Sequence, residues 1–130
     1  MSVAIASVPL LIVEDDPMSR KALMALTRKM KFDAEAVPDL ASARRHLAEK
    51  TPAILILDLM LPDGDGTELL AEIRRAKLPI IVAVVTGVSN QLKLHEVTAW
   101  KPDALFGKPI DVADFEDWLT KTRSATGKFE

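Results

Sequence analysis

The sequence predicts an α/β fold, a doubly wound five-stranded parallel sheet with five helices. Two observations predict it. Short runs that are apolar almost throughout alternate along the chain with longer stretches whose apolar residues recur at helical spacing. The runs VPLLIV, AILIL and IIVAVV lack polar/apolar alternation, as strands covered on both faces do. Such strands run parallel, and parallel neighbours need right-handed crossovers, so helices are expected on both faces of the sheet.

Val8 to Val13 is the first strand. Asp16 caps the helix that follows, with Pro17 at its first position, where the missing N–H costs nothing. Met18, Ala22, Leu26 and Met30 recur every four residues and Leu23 widens the stripe, which predicts that face as the buried one. A weaker strand is expected at Asp33 to Val37. Asp39 caps the second helix, with Leu40, Ala43 and Leu47 inward. Ala53 to Leu57 is the clearest strand, followed by a loop containing Pro62, Gly64 and Gly66. Thr67 to Ala76 is helical, with Leu69, Leu70 and Ile73 pointing inward. Ile80 to Val85 is the fourth strand, Ser89 to Trp100 a less clearly patterned helix, and Ala104 to Phe106 a short fifth strand. Asp111 caps a last helix carrying Val112, Phe115, Trp118, Leu119 and Thr122. Ser124 to Glu130 reads as a tail beyond the core.

The chain has 130 residues, one domain's worth and too short for a regulatory and an output domain together. The expectation is a single domain over residues 1–130, with a core of about 8–123. The formal net charge of −2 supplies no basic field to hold a nucleic-acid backbone. With no cysteine, disulfides, thiol catalysis and cysteine-based metal sites are excluded. No apolar run reaches the ~18–20 residues of a membrane span. Met1 to Ser7 lacks the positive n-region of a secretory signal, so a cytoplasmic location is expected.

In a doubly wound sheet the site lies at the carboxyl ends of the strands, where the winding reverses. Glu14, Asp15 and Asp16 end the first strand, Asp58 the third and Thr86 the fourth, and Lys108–Pro109 follows the fifth. In the flavodoxin-like order 2-1-3-4-5, strands one and three are neighbours, so Asp15 and Asp58 face each other. Carboxylates that converge in one crevice repel one another and lose hydration. A hard cation relieves this, and all-oxygen ligands with open positions suit Mg²⁺. Taken singly, each residue has a blander reading: Asp16 beside Pro17 is a helix cap, Thr86 caps a helix, and Asp58 is a loop carboxylate. Their coincidence at four different strand ends is what points to chemistry.

The segments LLIVEDDP, ILILDLMLPDGDG, VAVVTG and FGKPI, with the spacings between them, resemble the receiver domain of two-component response regulators, of the single-domain, CheY-like type. The resemblance runs from Pro9 to about Leu119. It implies that Asp58 is the phosphoacceptor, taking phosphate from a kinase phosphohistidine in a Mg²⁺-dependent transfer, with slow self-catalysed loss. It further implies that Asp15, Asp58 and the Met60 carbonyl hold the metal, with Glu14 acting mainly through water. Lys108 and Thr86 then contact phosphoryl oxygens, and the Lys108–Pro109 bond is cis. The implied partners are a sensor histidine kinase or histidine phosphotransfer protein and a downstream target protein, with no nucleic acid and no membrane. A monomer or a weak phosphorylation-dependent dimer is implied.

Two positions depart from the commoner family pattern. Leu105 stands three before Lys108, where Tyr or Phe is usual, and strand alternation sends Phe106 to the other face. Trp100 to Asp103 replaces a small, glycine-containing turn. His46 and His95 read as surface residues, and the pairs Arg44–Arg45 and Arg74–Arg75 as solvated helix faces. Gly64 and Gly66 permit a turn into the third helix rather than cradling a phosphate. Trp118 packs on the core edge or anchors a partner, with packing favoured. A haloacid-dehalogenase-type phosphohydrolase needs a second Asp two after the nucleophile, where Met60 stands. A pseudo-receiver lacks part of the acid, Asp and Lys set.

Overall fold

A computed structural model describes residues 7–126. The elements run β1 (Pro9–Val13), α1 (Pro17–Lys29), β2 (Asp33–Val37), α2 (Leu40–Glu49), β3 (Ile54–Asp58), β4 (Met60–Leu61), β5 (Gly64–Asp65), α3 (Gly66–Arg75), β6 (Ile81–Thr86), α4 (Gln91–Ala99), β7 (Ala104–Gly107) and α5 (Val112–Thr126). Five strands form one parallel sheet in the order β2-β1-β3-β6-β7, the flavodoxin-like order expected. The segment foreseen as a loop after β3 is instead an antiparallel ribbon, β4 and β5, closed through Pro62 and Asp63. The helix through Thr126 extends past the expected core limit at residue 123, and residues 1–6 and 127–130 lie outside the described part.

The apolar strands are buried on both faces, as their lack of alternation requires. Leu11, Val13, Leu55, Leu57, Val82 and Val84 point into one core with α2, α3 and α4. Leu10, Ile12, Ile54, Ile56, Ala83 and Val85 point into the other, with Leu23 of α1 and Phe115 and Leu119 of α5. The period of two divides each strand between two cores.

The buried face of α1 is not the one its four-residue spacing suggested. Leu23 and Thr27 are buried, with Leu26 and Met30 partly so, while Met18 is 81% exposed and Ala22 is exposed. Thr27 is tolerated inside because its hydroxyl donates to the Leu23 carbonyl at 2.8 Å. Asp16 caps α1 and Asp39 caps α2 as expected, and Asp111 accepts from the Asp114 N–H at 3.1 Å. Val112 is exposed rather than inward, whereas Trp118 packs edge-on to Phe106 with ring centroids 5.9 Å apart.

Helices α1, α3 and α4 end without the glycine that usually takes the left-handed position. Lys31, Lys77 and Lys101 occupy it, at φ 73°, 54° and 53°. Lys31 and Lys77 donate back to the Arg28 and Arg74 carbonyls, and the next residues donate to Thr27 and Ile73, which completes the Schellman pattern. Lys101 thus stands where a glycine turn was expected before the fifth strand of the sheet.

Candidate functional site

Register assembles the site. Val13 pairs with Leu57, so Glu14 follows beside Asp58; Asp58 pairs with Val85, which precedes Thr86; Thr86 pairs with Gly107, which precedes Lys108. Four strands therefore end level, and the residue at each end opens into one crevice. Ligand oxygens of Glu14, Asp15 and Asp58 lie within 4.8 Å of one another. Glu14 and Asp58 are buried and Asp15 is exposed, so the group opens to solvent on the Asp15 side.

Lys108 reaches over this group. Its ammonium lies 2.6 Å from Glu14 Oε1 and 3.3 Å from Asp58 Oδ2. Partial burial disfavours its charge, but the Glu14 and Asp58 carboxylates outweigh that cost and hold its pKa above the usual lysine value. Lys108 N–H donates to the Thr86 carbonyl at 3.0 Å, which anchors the lysine to the end of β6, and the Lys108–Pro109 bond is cis. The Thr86 hydroxyl accepts from the Val88 N–H at 3.0 Å within the loop after β6, but it caps no helix, since Asn90 caps α4; a hydroxyl in that position still has its own proton to donate.

The ribbon holds the other wall. Met60 N–H donates to Asp58 Oδ1 at 3.3 Å, and the Met60 side chain is 68% exposed. Gly66 N–H donates to the Leu59 carbonyl at 2.8 Å, and a Cβ on Gly66 would lie 2.2 Å from the Asp58 carbonyl oxygen. Glycine is needed there for close approach. Gly64, at φ 151°, takes a conformation that side chains rarely adopt, so both glycines serve the turn as expected.

Several functional contacts were invisible in the sequence. Asp63, at the ribbon's turn, accepts from the N–H groups of Leu40 and Ala41 at 2.8 and 2.9 Å and so caps α2 from a distant part of the chain. Those two bonds hold its carboxyl below the usual range. Asp65 caps α3 in a full capping box with Glu68 and pairs with Lys93 of α4. Arg20 Nη1 donates to the carbonyls of Glu14 and Asp15 at 3.0 and 3.1 Å.

Two readings of isolated residues need correction. Arg74 does not lie on a solvated face: it donates to the carbonyls of Trp100, Lys101 and Ile80 and to Asp103, tying α3 to the turn before β7. Arg44 pairs in bidentate fashion with Glu72, and Arg75 stacks 4.8 Å over Trp100. His46 is away from the crevice but not a free surface residue, since its side chain is 15% exposed and Nδ1 lies 3.2 Å from Glu35. His95 is exposed. Leu105 is 43% exposed, while Phe106 turns to the opposite face against Phe115. None of the described helices is long and apolar enough to cross a membrane.

Comparison with known proteins follows the same lines. The family model described as the response regulator receiver domain matches residues 10–120. The virulence transcriptional regulatory protein PhoP of Salmonella choleraesuis is 30% identical over 104 residues, 80% of this chain and 46% of that protein. The response regulator protein PilR of Pseudomonas aeruginosa is 33% identical over 103 residues, 78% of this chain and 23% of that protein. The chain thus spans less than half the length of these relatives. Among solved structures, a LuxR-family DNA-binding response regulator from Staphylococcus aureus aligns with a TM-score of 0.81 at 28% identity, covering 90% of this chain and 98% of that one. A CheY-like receiver domain from Methanospirillum hungatei aligns with a TM-score of 0.87 at 20% identity, covering 95% and 98%, which shows the shared fold.

Proposed function

The chain belongs to the response regulator receiver family of two-component signalling, and from that premise we propose that Asp58 accepts a phosphoryl group from the phosphohistidine of a sensor kinase or histidine phosphotransfer protein. One observation carries the reading: the acid pair, Asp58, Thr86 and Lys108 converge on one crevice through the aligned ends of four strands. Members of this family act as phosphoacceptor switches rather than as classical enzymes.

In the proposed transfer an Asp58 carboxylate oxygen attacks phosphorus, the phosphorus–nitrogen bond breaks, and the imidazole leaves with the bonding pair. The clustered oxygens of Glu14, Asp15 and Asp58 fit a hard divalent cation, because three carboxylates at this separation need more positive charge than Lys108 supplies. Asp15, Asp58 and the Met60 carbonyl would hold Mg²⁺, with Glu14 acting through water. When bound, the cation supplies charge neutralisation for the phosphoryl oxygens. Lys108, already held by the Thr86 carbonyl, moves from the carboxylates to a phosphoryl oxygen as a point charge. Thr86 turns its hydroxyl proton to another oxygen and gives up its bond from Val88, which transmits the change to the start of α4. The output is a changed protein-binding surface read by a downstream target; the transcriptional role in the name of PhoP belongs to a longer protein, of which the match covers 46%.

The test is intact mass after incubation with a small acyl-phosphate donor and Mg²⁺. A single phosphate adduct is expected in the wild type, and none in Asp58→Asn or with EDTA. An undiminished adduct in Asp58→Asn would overturn the assignment.

A further inference from the structure

The carboxylates of the acid pair are not held alike. Glu14 is buried, with Oε2 accepting from the Asp16 N–H at 3.1 Å and Oε1 against Lys108 at 2.6 Å. The Asp15 carboxylate is exposed and, among the described residues, receives no hydrogen bond. Its direction is therefore set by the main chain beneath it. That main chain lies between two regular structures. The β1–β2 pairing closes with the Glu14 N–H donating to the Val37 carbonyl, and α1 begins only after the Asp16 cap. The carbonyls of Glu14 and Asp15 fall in the gap.

We propose that Arg20 is a positioning residue for the divalent-cation site, holding the peptide groups of Glu14 and Asp15 so that the Asp15 carboxylate faces Asp58. The inference rests on the cation site proposed above. One guanidinium nitrogen donates to both carbonyls, at 3.0 and 3.1 Å, and charge-assisted bonds of this kind are stronger than neutral ones. Arg20 is itself anchored in the first turn of α1, where its N–H donates to the Asp16 carbonyl at 2.9 Å. The acid-pair segment, the cap and the first turn thus close into one hydrogen-bonded unit. The Asp15–Asp16 peptide group is thus held on both edges, its N–H by Glu14 Oε2 and its carbonyl by Arg20, while the Glu14–Asp15 carbonyl is held by Arg20 as well.

Charge and position predict opposite signs. A guanidinium beside the site repels a divalent cation, so an Arg20 acting by charge alone weakens binding and its removal tightens it. An Arg20 that aims Asp15 strengthens binding, and its removal weakens it. Groups that orient metal ligands from behind are typically worth 10- to 100-fold in affinity, and the half-exposed Arg20 belongs near the lower figure, roughly tenfold.

The experiment titrates Mn²⁺, read as free ion by electron paramagnetic resonance, into wild type, Arg20→Met, Arg20→Lys, Asp15→Asn and the Arg20→Met/Asp15→Asn double variant, with thermal midpoints taken in EDTA. The expected result is a roughly tenfold higher Kd in Arg20→Met, a smaller rise in Arg20→Lys, and midpoints in EDTA close to wild type. In the Asp15→Asn background, Arg20→Met should add little, because Arg20 acts through Asp15. An unchanged or lower Kd in Arg20→Met overturns the proposal, as does a fallen midpoint in EDTA with Kd unchanged, which marks a strut for the helix start. Failure of the wild type itself to bind Mn²⁺ overturns the cation site and this inference with it, and is distinct from the other outcomes.

Discussion

Replacing Gly66 by alanine should disturb the loop after Asp58 more than any comparable change of one methyl group. A Cβ at Gly66 would sit 2.2 Å from the Asp58 carbonyl oxygen and 2.9 Å from the Leu59 Cα, more than 1 Å inside ordinary contact for the first of these. Both opposing atoms are main chain, so no side chain can swing away. Either α3 lifts from the end of β3, breaking the 2.8 Å bond from Gly66 N–H to the Leu59 carbonyl, or the Asp58 peptide shifts. Overpacking of this kind costs about 1–3 kcal/mol, and the lost bond adds roughly 1 kcal/mol. Alanine's better helix propensity returns at most about 1 kcal/mol. A net loss of about 1–4 kcal/mol is expected. Gly107 provides the internal control, since a Cβ there meets nothing within 4 Å, and Gly107→Ala should change stability by less than about 0.5 kcal/mol. Urea denaturation with m held constant measures both, and intact mass follows phosphorylation, which Gly66→Ala should slow because Asp58 is displaced. A Gly66→Ala protein as stable as Gly107→Ala would refute the reasoning.

Replacing Lys31, Lys77 or Lys101 by glycine should stabilise the protein by about 0.5–1 kcal/mol each, because a left-handed lysine is strained and glycine is not; urea midpoints that fall would count against it. Asp63 contributes to acid sensitivity: its carboxyl is lowered in the folded chain, so its stabilisation is present above its unfolded value near 3.9 and is lost as pH falls through the folded one. The gap between wild type and Asp63→Asn should be level above about pH 5 and close below it in pH-dependent melts. Leu105→Tyr should sharpen the response of α4 and β7 to phosphorylation or beryllofluoride, read by backbone NMR, since Leu105 at 43% exposure has little packing to change and a coupling of ~1 kcal/mol is all it is expected to carry. An unchanged pattern of shifts in Leu105→Tyr would defeat that account.

The sheet and its site were legible because both follow from local patterns that burial enforces. Strands apolar on both faces can only be the middle of a three-layer sandwich, and AILIL, IIVAVV and VPLLIV take their places in it with boundaries moved by a residue. Once the strand order is given, Asp58, Thr86, Lys108 and the acid pair must meet, since each is tied to a strand end. Caps at Asp16 and Asp39 were legible for the same reason, being bonds to N–H groups two or three residues away.

What the tertiary structure alone decided are contacts between parts of the chain that share no local pattern. The buried face of α1 rotated from Met18 and Ala22 to Leu23 and Thr27, because a helix lays down whichever side its neighbours cover and a threonine satisfied within the helix can go inside. Lysines take left-handed positions that favour glycine, and only the one at Lys101 lies in a turn where glycine was expected; three hydrogen-bonded helix ends offset the strain of that residue type. Arg74 and Asp63 look like surface charges in the sequence, and each becomes a clamp only because carbonyl or N–H groups left over at distant element ends converge on it. Hydrophobic periodicity records which residues leave water; it holds no record of which unpaired main-chain groups a long polar side chain will find once the elements are packed.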